Sequence, residues 1–384
     1  MSKNESLLKS LDANERQSNF EVLRIFAMLL IVLHHLCQHG LWFPEGTALS
    51  KNVYISNCFY VWTGSLGNWL FILTSGYFVS MSKFRWKKVF KIWFQIFLIS
   101  SLIGIILYAT KIPLIGFSNP DYNSLGYFQA AKPATIKDLI RSLLPTLYGN
   151  NWFASTYLLF YLFTPFLNES LKVLDEQKHR NLIILMTLIG TVVCMIHGQG
   201  FFHEGNLFYF VLGFYIASYI RLYDPKFLRN QKVNIIGTIL LASCFILWIA
   251  LVLYFRNKIS FIDNHYKKVF IYPFSMKKFP ILLCSVFLFS FFKNLKIKNN
   301  KVINTIASTT FGVYLIHENR LLKKIIWHRI LKFDNFMYSD FVFLYMLLAT
   351  IVTFCCCSII DYLRQFLIEK PIMKILYNRD KIKA

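Results

Sequence analysis

From Phe20 onward the chain returns repeatedly to apolar runs close to the roughly 20 residues an α-helix needs to cross a bilayer. Hydrocarbon offers no water to a bare peptide group, so such runs must satisfy their backbone hydrogen bonds internally. The fold class that follows is all-α, a polytopic membrane helix bundle of about ten transmembrane helices. Its spans are expected at residues 20–40, 59–80, 92–110, 151–167, 181–197, 207–220, 234–255, 279–292, 302–318 and 339–362. The segment at 279–292 is the weakest, because Pro280 to Phe292 is short for a span; flanking Lys277, Lys278 and Lys293 can rescue it by snorkelling. No small-residue cleavage site follows the first run, so it reads as a retained helix and not a signal peptide. Composition agrees: 56% of the residues are hydrophobic and 16% charged, which excludes a disordered, collagenous or disulfide-scaffold chain.

The organisation expected is a polar tail at 1–19, a membrane domain at 20–362 and a basic tail at 363–384, with both termini cytoplasmic. The net charge of +23 invites a nucleic-acid reading. No nucleic-acid motif accompanies it, however, and 25 of the 42 Lys and Arg fall in segments this topology places inside the cell. Two outer loops, 256–279 and 319–338, break the positive-inside rule, so they rest on anionic lipid, bind an anionic acceptor, or mark a misplaced helix. The end of the outer segment 111–150 spaces Leu139, Ile140, Leu143 and Leu144 for one face of an interfacial helix. The cysteines read as small lipid-phase hydrophobes, with only Cys58 outside a clear apolar stretch; the run Cys355, Cys356 and Cys357 offers a palmitoylation target, but its mid-span place favours buried packing.

Ionisable residues inside a membrane are functional suspects. The first helix holds Glu21, Arg24, His34, His35 and His39. At 100° per residue Arg24 and His35 differ by only about 20° and share a face, while about 16 Å of rise keeps them from touching. His34 points elsewhere, and Glu21 sits three residues before Arg24, where an ion pair lowers the cost of holding the guanidinium. A buried neutral imidazole suits a general base. No metal is expected, because no carboxylate joins His35, Cys37 and His39 in the sequence.

Glu21-x-x-Arg24-x-x-Ala27 followed by His35 resembles the opening of the acyltransferase 3 family of integral membrane acyltransferases, which includes O-acetyltransferases of bacterial surface polysaccharides. Four further stretches resemble that family in order: Leu70 to Tyr77 with Ser75-Gly76; Asn151-Trp152-Phe153 with Tyr157 and Pro165; Phe208 to Gly213; and Thr310 to His317. The resemblance implies His35 as the catalytic histidine and Arg24 as its paired arginine, with Glu21 supporting. It places Ser75, Trp152, Tyr157, Tyr314 and His317 at the acceptor or cavity wall, although Ser75 and Gly76 serve equally well as a close-packing pair. Where the family carries Arg-x-x-Arg, this chain has Lys88-x-x-Lys91 within Lys83, Arg85, Lys87, Lys88 and Lys91. Arg85, Lys88 and Lys91 are thus the implied donor-binding residues, neutralising the phosphates of acetyl-CoA or another acyl-CoA without a bidentate fork.

The activity implied is O-acyl transfer, acetyl first among the acyl groups, from cytoplasmic acyl-CoA to a glycan hydroxyl, acting on groups other than amino-acyl groups. His35 is either general base or acyl relay. No resident cofactor is expected; acyl-CoA is a substrate. The partners implied are membrane lipids, a cell-surface or lipid-linked glycan, and a separate extracytoplasmic transferase or polysaccharide assembly proteins, the location being a bacterial plasma membrane. No Gly-x-Ser-x-Gly elbow, HExxH or P-loop offers another chemistry. The rival is a transporter or flippase of a lipid-linked glycan, which would show repeated halves and broken helices.

Overall fold

The computed structural model describes residues 16–40, 51–80, 82–114, 132–197, 205–255, 258–265, 269, 272–336 and 339–374, with the backbone alone at 51–61, 196–197, 263–264 and 334. Most of the expected N-terminal tail and the Cys58 side chain therefore lie outside the described residues.

A helix occupies each of the ten expected segments. They are α1 (Ser18–Gly40), α2 (Lys51–Val79), α3 (Trp86–Thr110), α5 (Trp152–Val173), α6 (Glu176–Thr187), α7 (Asn206–Tyr223), α8 (Gln231–Phe255), α9 (Phe279–Lys293), α10 (Lys301–His317) and α11 (Val342–Arg364), with the short α4 (Ile136–Leu143) between α3 and α5. Among the described residues there is no strand, only a single bridge between Leu114 and Lys132. Five stretches are long and apolar enough to cross a membrane: Ser18–Gly40, Trp86–Thr110, Glu176–Met195, Gln231–Phe255 and Val342–Lys374; Phe279–Lys293 is a shorter apolar helix.

Helix limits differ from the hydropathy limits where polar residues are themselves good helix formers. α3 begins at Trp86, after an extended Arg85, so the lysines from Lys87 to Lys91 lie on its first turns. α6 starts five residues early because the Asp175 carboxylate caps the Lys178 N–H at 2.7 Å. A π turn over Leu188–Val192 then carries α6 into Val193–His197. At the other terminus the helix continues past Leu363, through a π turn at Gln365–Glu369, to Lys374.

α1 lies at the centre, packed against α2, α9, α10 and α11. Its partner α2 runs antiparallel: the Phe20 ring lies 4.9 Å from Tyr77, and at the far end the His34 ring presses on Gly64. Glycines set these approaches. A Cβ on Gly67 would lie 2.8 Å from the Ala27 carbonyl oxygen, and one on Gly76 would lie 2.8 Å from the Phe214 Cα of α7. Gly76 therefore acts as a packing residue, as its Ser-Gly context allowed. α8 lies against α9 with Ile236, Ile239, Leu240 and Ile246 turned outward, the face a lipid-exposed helix presents. Cys355 and Cys356 also face outward, a correction to their expected burial; only Cys357 of that run is buried.

The bundle has two polar ends. At one, Asn19 donates to the Phe292 and Lys293 carbonyls, Ser18 donates to the Asn304 side chain, and Arg221 donates to the Tyr77 carbonyl at 2.6 Å. The C-terminal turns of α11 reach the same end and carry a buried ion network. Arg364 pairs with Asp361 at 2.7 Å and Glu369 at 2.6 Å, Lys91 reaches Glu369 at 2.8 Å, and Gln365 donates to Asp361. A side chain on Gly312 would collide with the Asp361 carboxylate. At the opposite end some of the basic residues of the segments 256–279 and 319–338 are held within the protein. Arg320 pairs with Asp138, Lys323 with Glu318, and the Lys278 ammonium donates to the Cys194 carbonyl.

Arg364→Ala leaves the buried Asp361 carboxylate without its cation, Glu369 keeping Lys91, and should cost about 3–5 kcal/mol. Lys91→Ala removes a pair whose lysine is 53% exposed and should cost about 1 kcal/mol or less. Thermal unfolding in detergent checks the contrast; equal midpoints for the two variants would contradict the network.

Candidate active site

α1 and α10 meet at the end of the bundle opposite the lysines of α3. Residues three and four apart share a helix face, which puts His35 with His39 on α1 and Tyr314 with His317 on α10. His35 is buried and its Nδ1 lies 2.9 Å from His317 Nε2. The tautomers follow from one further bond: His317 Nδ1 lies 2.6 Å from the Val313 carbonyl oxygen. A carbonyl only accepts, so His317 Nδ1 carries the proton and, in the neutral ring, Nε2 is bare. His35 Nδ1 must then donate to it. The consequence is that a neutral His35 presents an unprotonated Nε2, the form a base requires.

Glu318 was not anticipated from the sequence. It caps the end of α10, where a carboxylate is ordinarily solvated, yet its side chain is only 14% exposed. One oxygen lies 3.5 Å from His35 Nδ1 and 3.1 Å from His39 Nε2; the other accepts from Lys323 at 2.7 Å. His328 in turn donates to the His39 carbonyl at 2.8 Å. The expectation that no carboxylate joins the histidines is thus corrected. Glu318 joins them, and its position immediately after His317 was the available signal. The donors bond to one another and to the Lys323 ammonium, and among the described residues no group of three or more His, Cys, Asp or Glu has the arrangement to hold a metal.

Tyr314 places its ring 6.3 Å from both His35 and His317, with Phe153 of α5 5.8 Å behind it. Tyr157 lies one turn further along, among Phe160, Phe210 and Phe311. Trp152 is partly exposed and lines a cavity of about 270 Å³ that also receives His34. His34 and His35 therefore serve different faces, as their angular separation required.

Two of the residues anticipated from the sequence, Arg24 and Ser75, lie away from the histidines, Arg24 as its separation along the helix required. Arg24 places Nη1 3.2 Å from both Glu21 oxygens and sits over the Phe78 ring, and Arg16 approaches the same carboxylate at 3.7 Å. The helix is continuous, so Arg24 stays about 16 Å from His35. Ser75 sits near that same end of α2, two residues before Tyr77, which packs on Phe20. Glu21, by contrast, is where it was expected, paired with Arg24. Among the donor-loop residues Lys83, Arg85, Lys87 and Lys88 are exposed, with Lys88 4.6 Å over the Tyr161 ring. Lys91 is drawn into the Glu369 pair.

The short helix α4 braces the site through Arg320. Thr135 and Asp138 form a capping box, and Arg320, two residues beyond Glu318, pairs with Asp138. Burial would raise the Asp138 carboxyl, but hydrogen bonds from Thr135 and the Arg320 charge outweigh it and hold the group below its ordinary range.

Residues 17–362 match a family model described as an acyltransferase domain. No curated protein and no solved structure matches the chain.

The tautomer assignment is open to direct measurement. In 15N-histidine spectra at a pH where both rings are neutral, Nε2 of His35 and of His317 should show the shift of an unprotonated nitrogen. A protonated Nε2 on His35 would overturn it.

Proposed function

The chain belongs to the acyltransferase 3 family, and from that premise we propose that it transfers an acyl group, acetyl first among them, from cytoplasmic acyl-CoA to a hydroxyl of a cell-surface or lipid-linked glycan. The observation that carries this reading is the bare Nε2 of His35, held by a hydrogen-bond chain that starts at the Val313 carbonyl. His35 Nε2 takes the proton of the acceptor hydroxyl as its oxygen attacks the thioester carbonyl. The carbon–sulfur bond breaks, the new ester forms, and the imidazolium returns its proton to the departing thiolate. While His35 is charged, the Glu318 carboxylate 3.5 Å from Nδ1 offsets that charge, in the role a carboxylate plays behind a catalytic histidine. Lys323 and His39 hold the carboxylate in place. The ring nitrogen that faces His317 is thereby turned from a passive donor into the anchor of the base.

On this reading the ten helices all span a bacterial plasma membrane, with both described ends of the chain on the cytoplasmic side. The exposed Lys83, Arg85, Lys87 and Lys88 lie at that same end and supply point charges for the phosphates of the donor. Arg24, paired with Glu21, stands between this cluster and the site. The acyl group has about 16 Å to travel from Arg24 to His35, a distance suited to a donor that carries its thioester on a long, slender arm. Acceptor and donor then approach from opposite ends, and the reaction joins them across the membrane.

The deciding comparison is the O-acyl content of cell-surface glycans in wild-type, deletion and variant strains at matched expression. His35→Ala should lower transfer by about 10²–10⁴-fold, and Glu318→Gln, which keeps the shape but removes the charge, should fall between it and wild type. Full O-acylation in the deletion strain with loss of glycan export would favour a transporter, and full activity in His35→Ala would remove the base from this histidine.

A further inference from the structure

A base at His35 handles the proton of the reaction but not the second charge the reaction creates. As an oxygen adds to a thioester carbonyl, the π electrons of that carbonyl move onto its own oxygen. In an interior without water this oxyanion needs hydrogen-bond donors already in place. His317 and Glu318 cannot supply them. Both lie at the Nδ1 edge of His35, where His317 Nε2 is bare and Glu318 is negative.

Donors do stand beside His35, on Tyr314 and on the first turn of α5. The Tyr314 ring lies 6.3 Å from that of His35 and 5.8 Å from that of Phe153. Its hydroxyl sits beside the Phe153 N–H and the Asn151 side-chain amide. An Asn in the position of Asn151, immediately before a helix, ordinarily accepts from the first turn, yet this one makes no such bond. Phe153 is the second residue of α5, so its N–H has no acceptor within the helix. Asn151 and Tyr314 are each only 3% exposed. Even so, neither the Asn151 amide nitrogen nor the Tyr314 hydroxyl has an aligned hydrogen-bond partner among the described residues. Glu318, the carboxylate of the site, is already committed to His39 and Lys323.

The donors are positioned in advance. The Asn150 side chain donates to the Arg141 carbonyl at 2.8 Å, and its N–H donates to the Pro145 carbonyl at 3.1 Å. The Ser155 N–H closes the first turn of α5 on the Asn151 carbonyl at 3.0 Å. α5 runs for 22 residues, so the aligned peptide dipoles add partial positive charge at this end. Two buried side-chain donors without acceptors, beside the N-terminus of a long helix and a base, are what a transient negative charge requires.

We infer that the Tyr314 hydroxyl, the Asn151 amide and the Phe153 N–H form an oxyanion hole, which holds the thioester carbonyl oxygen while His35 acts on the acceptor hydroxyl. The inference rests on the transferase reading of His35. The bond from the acceptor oxygen to the carbonyl carbon forms, and the proton passes to His35 Nε2. The negative oxygen is held by the three donors. When the carbonyl reforms, the carbon–sulfur bond breaks and the thiolate takes the proton back from His35. Two opposite charges arise together, and each has its own counterpart: the imidazolium faces Glu318, and the oxyanion faces Tyr314 and α5. The donors have no aligned partner in the resting protein because the charge they serve exists only during the reaction.

The test pairs a rate with a stability. Initial rates of O-acyl incorporation into cell-surface glycans are measured in the deletion strain complemented at matched expression, and thermal unfolding is followed for each purified full-length variant in lipid nanodiscs. Tyr314→Phe removes the hydroxyl alone, and Asn151→Leu replaces the amide by an apolar group of similar shape. Each should lower the rate by about 10²–10³-fold. Each should also unfold at or above the wild-type midpoint, because no aligned bond of the resting protein is lost. Structural residues would give the reverse pattern, with the midpoint falling alongside the rate. Wild-type rates in both variants, or a lowered midpoint in both, would overturn the assignment; if one variant fails to fold, the other carries the test. The reading beneath it is tested separately. A deletion strain that stays fully O-acylated removes the transferase itself, whereas loss of transfer in the deletion and His35→Ala strains with full rates in the other two removes only the oxyanion hole.

Discussion

α1 is enclosed by other helices, and every polar group it carries must therefore be satisfied by protein. Neither water nor lipid head groups reach the middle of such a helix, and an unpaired polar group there is expensive. The rest of the bundle is arranged around that demand. α2 closes on one side of α1 through Gly67 and is itself backed by α7 at Gly76. α10 brings His317 and Glu318 to another side, where His35 and His39 need partners. The same constraint that shapes the fold also fixes which nitrogen of His35 holds a proton.

The two ends of the bundle divide the work. At the end that carries the exposed lysines of α3, the buried Arg364 network locks α11 against α3 and α10, and Arg24 is neutralised by Glu21. Buried pairs of this kind contribute little net stability but penalise any arrangement that separates them, so they define how the helices register. At the far end Arg320, Lys323 and Lys278 serve as internal struts, on Asp138, Glu318 and the Cys194 carbonyl. A site fixed from several loops at once keeps its geometry without relying on any one of them.

Much of this was legible in the chain itself. Long apolar runs located every helix, because the hydrophobic requirement of a span is a property of local composition. Their limits were less certain, since capping and helix propensity at Asp175 and at Lys87 to Lys91 extend helices beyond the apolar part. The turn from His34 to His35 was sufficient to send one imidazole to the cavity and the other to His317, because helical geometry is fixed. Glu21 pairing with Arg24 follows from the same rule.

What the sequence could not contain is the meeting of α1 with α10. His35 and His317 are 282 residues apart, and no periodicity links them. Burial places Glu318 beside two histidines, and Lys91 pairs with Glu369, contacts between residues on different helices. The sequence by itself determined that the chain is a bundle of membrane helices with ionisable groups on the first of them, since both follow from residues close along the chain. Which partner each of those groups finds was decided only by tertiary structure, because in a low-dielectric interior a charge is stabilised by whatever lies within a few ångströms, and that neighbourhood exists only after the helices have packed.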